Sequence, residues 1–184
     1  MNFFLFLTYN ETNKPERRDK DMYYSDENTY RPYPTKHCRN IAEIKLMNEM
    51  RSLWEQHAAW TRATVTGIVF SQPDIEFVTK RLLRNPNDFR DALKLYYGEK
   101  IASQFDELLT KHLVIAADLV KAAKAGDGEK AAILEKRWYE NADEIAVFFS
   151  RINPYWSVEN WRIMLYEHLR FVKAEAVEML RKNY

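Results

Sequence analysis

The sequence has little glycine and little proline, and this shortage excludes several fold classes. Only 4 of its 184 residues are Gly and 6 are Pro, whereas an average chain contains about 7% Gly. Sandwiches and barrels use Gly in many tight turns, and nucleotide-binding loops need it in clusters. We therefore expect neither a β fold nor a phosphate-binding loop, and long helices with few connections fit best.

Cysteine, an excess of one charge and long apolar runs are also missing. The single cysteine, Cys38, excludes an intramolecular disulfide framework and favours a reducing, cytoplasmic compartment. Lys and Arg number 28 against 27 Asp and Glu, a net charge of +1 that argues against nucleic acid as a partner. The apolar residues 3–7 lack the flanks of a signal peptide, and no apolar run is long enough for a membrane span.

The first forty residues differ in pattern from the rest of the chain. Residues 8–40 show neither a helical nor a strand period, and they contain Pro15, Pro32 and Pro34. Their five tyrosines are Tyr9, Tyr23, Tyr24, Tyr30 and Tyr33. We predict an irregular N-terminal arm over residues 1–40 and a helical domain over residues 41–184.

From residue 41 onward, Gly and Pro fall between periodic segments and so mark the helix ends. The pattern predicts four long helices, over residues 41–70, 99–125, 129–151 and 158–182, with two short helices between the first and the second. Asn85 is predicted to cap the second short helix, and Gly98 to end it. The predicted fold class is all-α: an antiparallel four-helix bundle with an irregular N-terminal arm.

Three of the 4 histidines interrupt the apolar stripes of three long helices. At about 100° per residue, His57, His112 and His168 each lie near the centre of a stripe and near the midpoint of a helix. Since the midpoints of helices of similar length meet in one layer of a bundle, the three imidazoles are predicted to converge in the core. The fourth, His37, lies in the arm.

Three imidazoles completed by a carboxylate, an amide or water suit a divalent transition metal, namely Zn, Fe, Ni or Cu. The third long helix offers Asn141 at the same level and Glu144 one turn on, at the edge of the stripe. If the protein is an enzyme, we expect either a metal-bound water of lowered pKa or an open position for a small-molecule ligand at this metal. Glu-x-x-His pairs of the ferritin type and His-Glu-x-x-His are absent from the sequence.

An alternative from another class is a structural or interaction bundle. Its histidines would form a buried polar network, with the hydroxyls of Thr61 and Thr64 as partners of His57. The tyrosine-rich arm would then bind a partner, and whether the chain associates with copies of itself stays open.

Four segments resemble an uncharacterised bacterial family whose members often carry the label acetylglutamate kinase: residues 53–57 (LWEQH), 81–86 (RLLRNP), 137–144 (RWYENADE) and 152–156 (INPYW). The resemblance extends from Ile41 to the end of the chain. The label implies an α/β amino-acid-kinase fold with Gly-rich phosphate loops. Because the glycines of this chain are scattered, we expect no kinase residue to carry over.

Overall fold

The computed structural model describes residues 41–183, which form five helices. These are α1 (Ile41–Phe70), α2 (Ile75–Leu82), α3 (Asn85–Lys124), α4 (Gly128–Ile152) and α5 (Val158–Leu180). The described residues contain no strand, so the prediction of an all-α bundle is confirmed. The predicted arm, with His37 and Cys38, lies outside the described residues.

Side-chain caps begin the last two helices at the predicted places. The Asp127 side chain accepts a hydrogen bond from the backbone N–H of Lys130 at 3.0 Å, before α4. Ser157 does the same for Asn160 at 3.4 Å, before α5. These bonds satisfy N–H groups that have no partner inside the helix, which is why the two helices begin here.

Helix α3 is broken at Gly98, as the sequence predicts. Gly98 has φ 79° and ψ 167°, a region that residues with a Cβ atom rarely adopt. The chain therefore reverses between residues 85–97 and residues 99–124. The reversal packs Phe89 against Trp54 of α1 and against Phe105 of the second segment, with ring centroids 4.6 and 5.6 Å apart.

The prediction that Asn85 caps this helix is wrong. The N-cap residue is Arg84, which makes no side-chain capping bond, and Asn85 is the first helical residue. Asn85 is 0% exposed, and its amide bonds to α1 instead. A tertiary contact has taken the side chain that the local pattern assigns to capping.

The three helices that carry histidines run in the same direction. Arg62 of α1 pairs with Glu175 of α5, and Lys124 at the end of α3 donates to the carbonyl of Ile68 near the end of α1 at 2.5 Å. In each contact both residues lie on the C-terminal side of the histidine of their helix. Helix α4 runs antiparallel to residues 99–124 of α3, after the tight link at residues 125–127.

Two clusters of apolar side chains fill the bundle. The larger one contains most of the buried aromatic rings, among them Phe89, Phe105, Trp138 and Phe149. The smaller one lies on the C-terminal side of the histidines and consists of Val65, Ile68, Val120 and Ala176. Within residues 41–183, no helix combines the length and the apolar character that crossing a membrane requires.

Candidate functional site

The side chains of His57 on α1, His112 on α3 and His168 on α5 lie near one another inside the bundle. The ring centroids of His57 and His168 are 5.8 Å apart, and those of His112 and His168 are 6.2 Å apart. His57 and His112 are each 3% exposed, whereas His168 is partly buried. His168 therefore neighbours both other rings and is the member closest to solvent.

A buried asparagine orients His57. The Oδ1 atom of Asn85 lies 3.2 Å from Nδ1 of His57, and its Nδ2 donates to the carbonyl of Leu53 at 3.1 Å. Leu53 lies one turn before His57, so the amide bridges one turn of α1. Because the NH₂ group of the amide faces a carbonyl, Oδ1 must accept, and this assigns the proton of His57 to Nδ1.

Asn141 repeats this arrangement at His112. Its Oδ1 lies 2.8 Å from Nδ1 of His112, and its Nδ2 donates to the carbonyl of Leu108 at 3.2 Å. Leu108 again lies one turn before the histidine, and the same reasoning assigns the proton of His112 to Nδ1. In both rings this tautomer leaves the lone pair on Nε2, the nitrogen that remains for a ligand.

The Nε2 atom of His112 has a donor within the protein. The indole N–H of Trp138 donates to it at 3.1 Å, and Trp138 is 2% exposed. Both nitrogens of His112 thus have hydrogen-bond partners in a neutral ring. A metal ion at Nε2 would have to displace this indole N–H.

Burial lowers the pKa of all three imidazoles. The pKa of His57 and of His112 falls to about 3, and that of His168 to about 4. Loss of hydration is the largest cause in each case, and charge repulsion from His168 lowers the pKa of His57 and His112 further. Their hydrogen bonds to the asparagines act in the opposite direction. All three rings are therefore neutral at pH 7, the state in which imidazole binds metals.

Two of the three ring separations, those that involve His168, are close to the separations in a three-histidine metal site. Imidazoles bound to one ion through bonds of about 2.0 to 2.1 Å have ring centroids about 5 to 5.5 Å apart, slightly less than the two separations observed. Among residues 41–183, however, no three His, Cys, Asp or Glu side chains stand in an arrangement that could hold a metal ion. Metal binding would require the side chains to rearrange and Trp138 to give up its bond to His112.

Asn141 and Glu144, the two residues of α4 predicted as further metal ligands, do not direct a ligand atom toward the space among the three histidine rings. Asn141 uses both ends of its amide, on His112 and on a backbone carbonyl, so it orients the ring of His112. The carboxylate of Glu144 pairs with Lys111 at 2.7 Å, with 46% of its side chain exposed. The carboxylate of Glu144 therefore lies at the surface rather than among the histidines, because the third residue after Asn141 is turned toward the edge of the buried face.

Asn85 is a site residue that the sequence pattern does not predict. Thr61 and Thr64 were expected to satisfy His57, yet Asn85 does so. A signal for it exists, since residues 85–89 (NPNDF) and 141–145 (NADEI) share the pattern Asn, any residue, Asn or Asp, acid, apolar residue. The two asparagines follow their histidines by 28 and 29 residues. The chain thus contains the same arrangement twice: a helix that carries a histidine is followed by an antiparallel helix that carries the asparagine bonded to it.

Comparisons of the chain with models of protein families, with curated proteins and with solved structures find no match. A function for this site therefore rests on its own geometry.

Proposed function

We propose that His57, His112 and His168 bind one divalent transition metal ion, Zn, Fe, Ni or Cu, through their Nε2 atoms. The observation that carries this proposal is the repeated asparagine amide, which holds Nδ1 of two of the three rings. A histidine that binds a metal usually donates its other ring N–H to a fixed oxygen, which sets the tautomer and aims the free nitrogen. The buried amides of Asn85 and Asn141 supply such oxygens.

Water or a small molecule is the proposed fourth ligand. Three protein ligands and one open position are typical of zinc sites that perform chemistry. Glu144, the carboxylate predicted for this position, is paired with Lys111 at the surface. A small ligand would enter past His168, since this is the histidine that is only partly buried. If the protein is an enzyme, the metal would supply a bound water of lowered pKa.

A buried polar network without a metal is the second candidate, and the bond from Trp138 to His112 favours it. In this case the histidines, the two asparagines and Trp138 join the helices by hydrogen bonds alone. Binding to a partner would then fall to the tyrosine-rich arm over residues 1–40, or to a second copy of the chain. Deletion of residues 1–40 would abolish that association, whereas replacement of the histidines would lower stability only.

Kinase activity is not proposed. The acetylglutamate kinase label implies an α/β fold, whereas all the regular secondary structure of the described residues is α-helix. We propose a cytoplasmic location, because a single cysteine suits a reducing compartment. The balanced charge favours neither a nucleic acid nor an anionic membrane surface as a partner.

Metal content of protein purified without a histidine tag tests the first proposal. After separate incubation with Zn²⁺, Fe²⁺, Ni²⁺ and Cu²⁺ and removal of free metal, we expect about one ion per chain for at least one of them. The His112→Gln and His168→Gln variants should lose this ion. His37→Gln, a histidine change in the arm, is the matched control and should keep it. An unmodified protein that binds none of the four metals would contradict the proposal and leave the polar network.

A further inference from the structure

A cavity of about 50 Å³ lies on the C-terminal side of the histidines, among the three helices that carry them. Thr61, Ala116 and Val172 line it, and each of them lies one turn after a histidine. Trp138, whose indole N–H bonds to His112, lines it as well. The cavity thus adjoins the candidate metal centre but is built from different side chains.

The surface of this cavity is almost entirely carbon. Its wall includes every buried residue of the smaller apolar cluster: Val65, Ile68, Val120 and Ala176. Thr61 and Thr64 also belong to the wall, but their Oγ1 atoms each have less than 1 Å² of accessible surface, so these hydroxyls are not offered to a ligand. The ammonium group of Lys173, the charged residue in the wall, pairs with Glu135 at 2.5 Å.

A cavity of this kind favours an apolar molecule over water. Its volume exceeds the roughly 10 to 15 Å³ that one water molecule needs, so size does not exclude water. A buried water, however, makes about three hydrogen bonds, and a surface of carbon does not supply them. Cavities lined by aliphatic side chains stay dry and take apolar molecules or xenon instead. A charged molecule would lose its hydration here without gaining a partner.

We propose that this cavity binds a small apolar gas molecule of about two non-hydrogen atoms, such as dioxygen. The volume sets the size, because a cavity of about 150 Å³ holds benzene and this one has about a third of that space. The gas is held by dispersion contacts with the aliphatic wall, since it needs no hydrogen bond. A role for this gas as the fourth ligand of the metal rests on the proposed function, whereas its binding in the cavity does not.

Nuclear magnetic resonance of the metal-free, methyl-labelled full chain tests this proposal under gas pressure. Pressure is needed because a ligand of two atoms binds with a Kd no tighter than about 6 mM. Xenon should shift the methyl signals of Val65, Ile68 and Ala116, which line the cavity. Dioxygen is paramagnetic and should speed the relaxation of the same methyl protons. Ala146, which is 0% exposed and belongs to the larger cluster, is the reference signal and should respond to neither gas.

Ala176→Val tests the place of binding, because Ala176 lines the cavity and the added methyl groups fill part of it. The xenon-induced shifts of Val65 and Ile68 should be lost in this variant. Ala174→Val makes the same change at an exposed position of the same helix and should keep the shifts. Leu113→Ala removes part of the wall instead, so this variant should admit benzene, which the unmodified protein should exclude.

Methanol tests the apolar character of the cavity, because it is as small as dioxygen but carries a hydroxyl. Methanol in excess should not reverse the shifts caused by xenon, since its hydroxyl would be buried without a hydrogen bond. Displacement of xenon by methanol would overturn the proposal, as would a lack of response to both gases or undiminished shifts in Ala176→Val. A chain that binds gas but no metal would contradict only the proposed function, and a chain that binds metal but no gas only this inference.

Discussion

The indole N–H of Trp138 donates to Nε2 of His112 at 3.1 Å, and this bond occupies the ring nitrogen that a metal would need. Without a metal, the indole satisfies a buried lone pair. If the histidines bind a metal, the ion would take its place and the indole would turn away. Under the metal proposal Trp138 would therefore compete with the ion, and this competition separates the two candidate functions.

Trp138→Phe should raise metal affinity about two- to tenfold, because the competing hydrogen bond is lost. It should also lower the free energy of unfolding of the metal-free protein by about 1 to 3 kcal/mol, since Nε2 of His112 loses its donor. Metal titration and urea unfolding measure the two effects. Trp161→Phe is the control, as Trp161 is equally buried but packs on Phe149. A drop in metal affinity in Trp138→Phe alone would argue against displacement of the indole.

Asn85→Asp should raise the pKa of His57 from about 3 toward its ordinary value of 6.5. A carboxylate beside Nδ1 stabilises the imidazolium form, whereas the amide does so only weakly. Titration of the ring proton signals of His57 by nuclear magnetic resonance measures the pKa. Asn87→Asp, at an exposed position two residues away, should leave it unchanged. If His57 titrates alike in both variants, Asn85 is not its partner.

The metal-free protein should lose stability as the pH falls below about 6.5. The unfolded chain binds protons at its histidines with a pKa near 6.5, but the folded pKa values are about 3, 3 and 4. Unfolding therefore takes up protons as the pH falls from about 6.5 toward the folded pKa values. The stability that the protein has above about pH 6.5 is lost progressively over this range. Each histidine contributes at most about 1.4 kcal/mol per pH unit.

Urea unfolding between about pH 7.5 and 5 measures this slope. In His57→Gln the number of protons taken up on unfolding, which the slope measures, should fall by about one. His37→Gln is the control and should leave it unchanged. A free energy of unfolding that stays constant between about pH 6.5 and 5 would show that the three rings are not buried as neutral groups.

Gly98→Ala should destabilise the protein by about 1 to 3 kcal/mol, because the backbone at Gly98 is strained for a residue with a Cβ atom. Space is not the reason, since nothing lies within 4 Å of a Cβ atom placed there. Gly128→Ala has the same open surroundings without a positive φ and should be neutral or slightly stabilising. Thermal unfolding of the two variants decides this, and equal melting temperatures would contradict a fixed break in α3.

The helices could be predicted from the sequence because their signals are local. Helix α1 has the predicted bounds, and Gly98, Asp127 and Ser157 mark ends that depend on backbone geometry and on capping by neighbouring residues. The directions of the helices depend on which faces pack together. The reversal of residues 85–97 brings α1 and residues 99–124 into the same direction, and this follows from tertiary contacts.

The candidate site could be predicted only in part, for a similar reason. The apolar stripes indicate which face of each helix is buried, and this places His57, His112 and His168 inside. They do not indicate which atoms meet there. The amide of Asn85 bonds to His57, which lies 28 residues earlier in the chain. Because Asn85 followed by Pro86 is typical of a helix start, the local pattern predicts a capping role for Asn85 instead.

The central claim, that the three histidines bind one metal ion, is tested most directly by an anomalous-difference map of crystals of the metal-loaded protein, measured at the absorption edge of that metal. We expect one peak among the rings, about 2.0 to 2.1 Å from the Nε2 atoms of His57, His112 and His168, with the indole of Trp138 turned away from His112. A map without a peak there, in which Trp138 still bonds to His112, would contradict it.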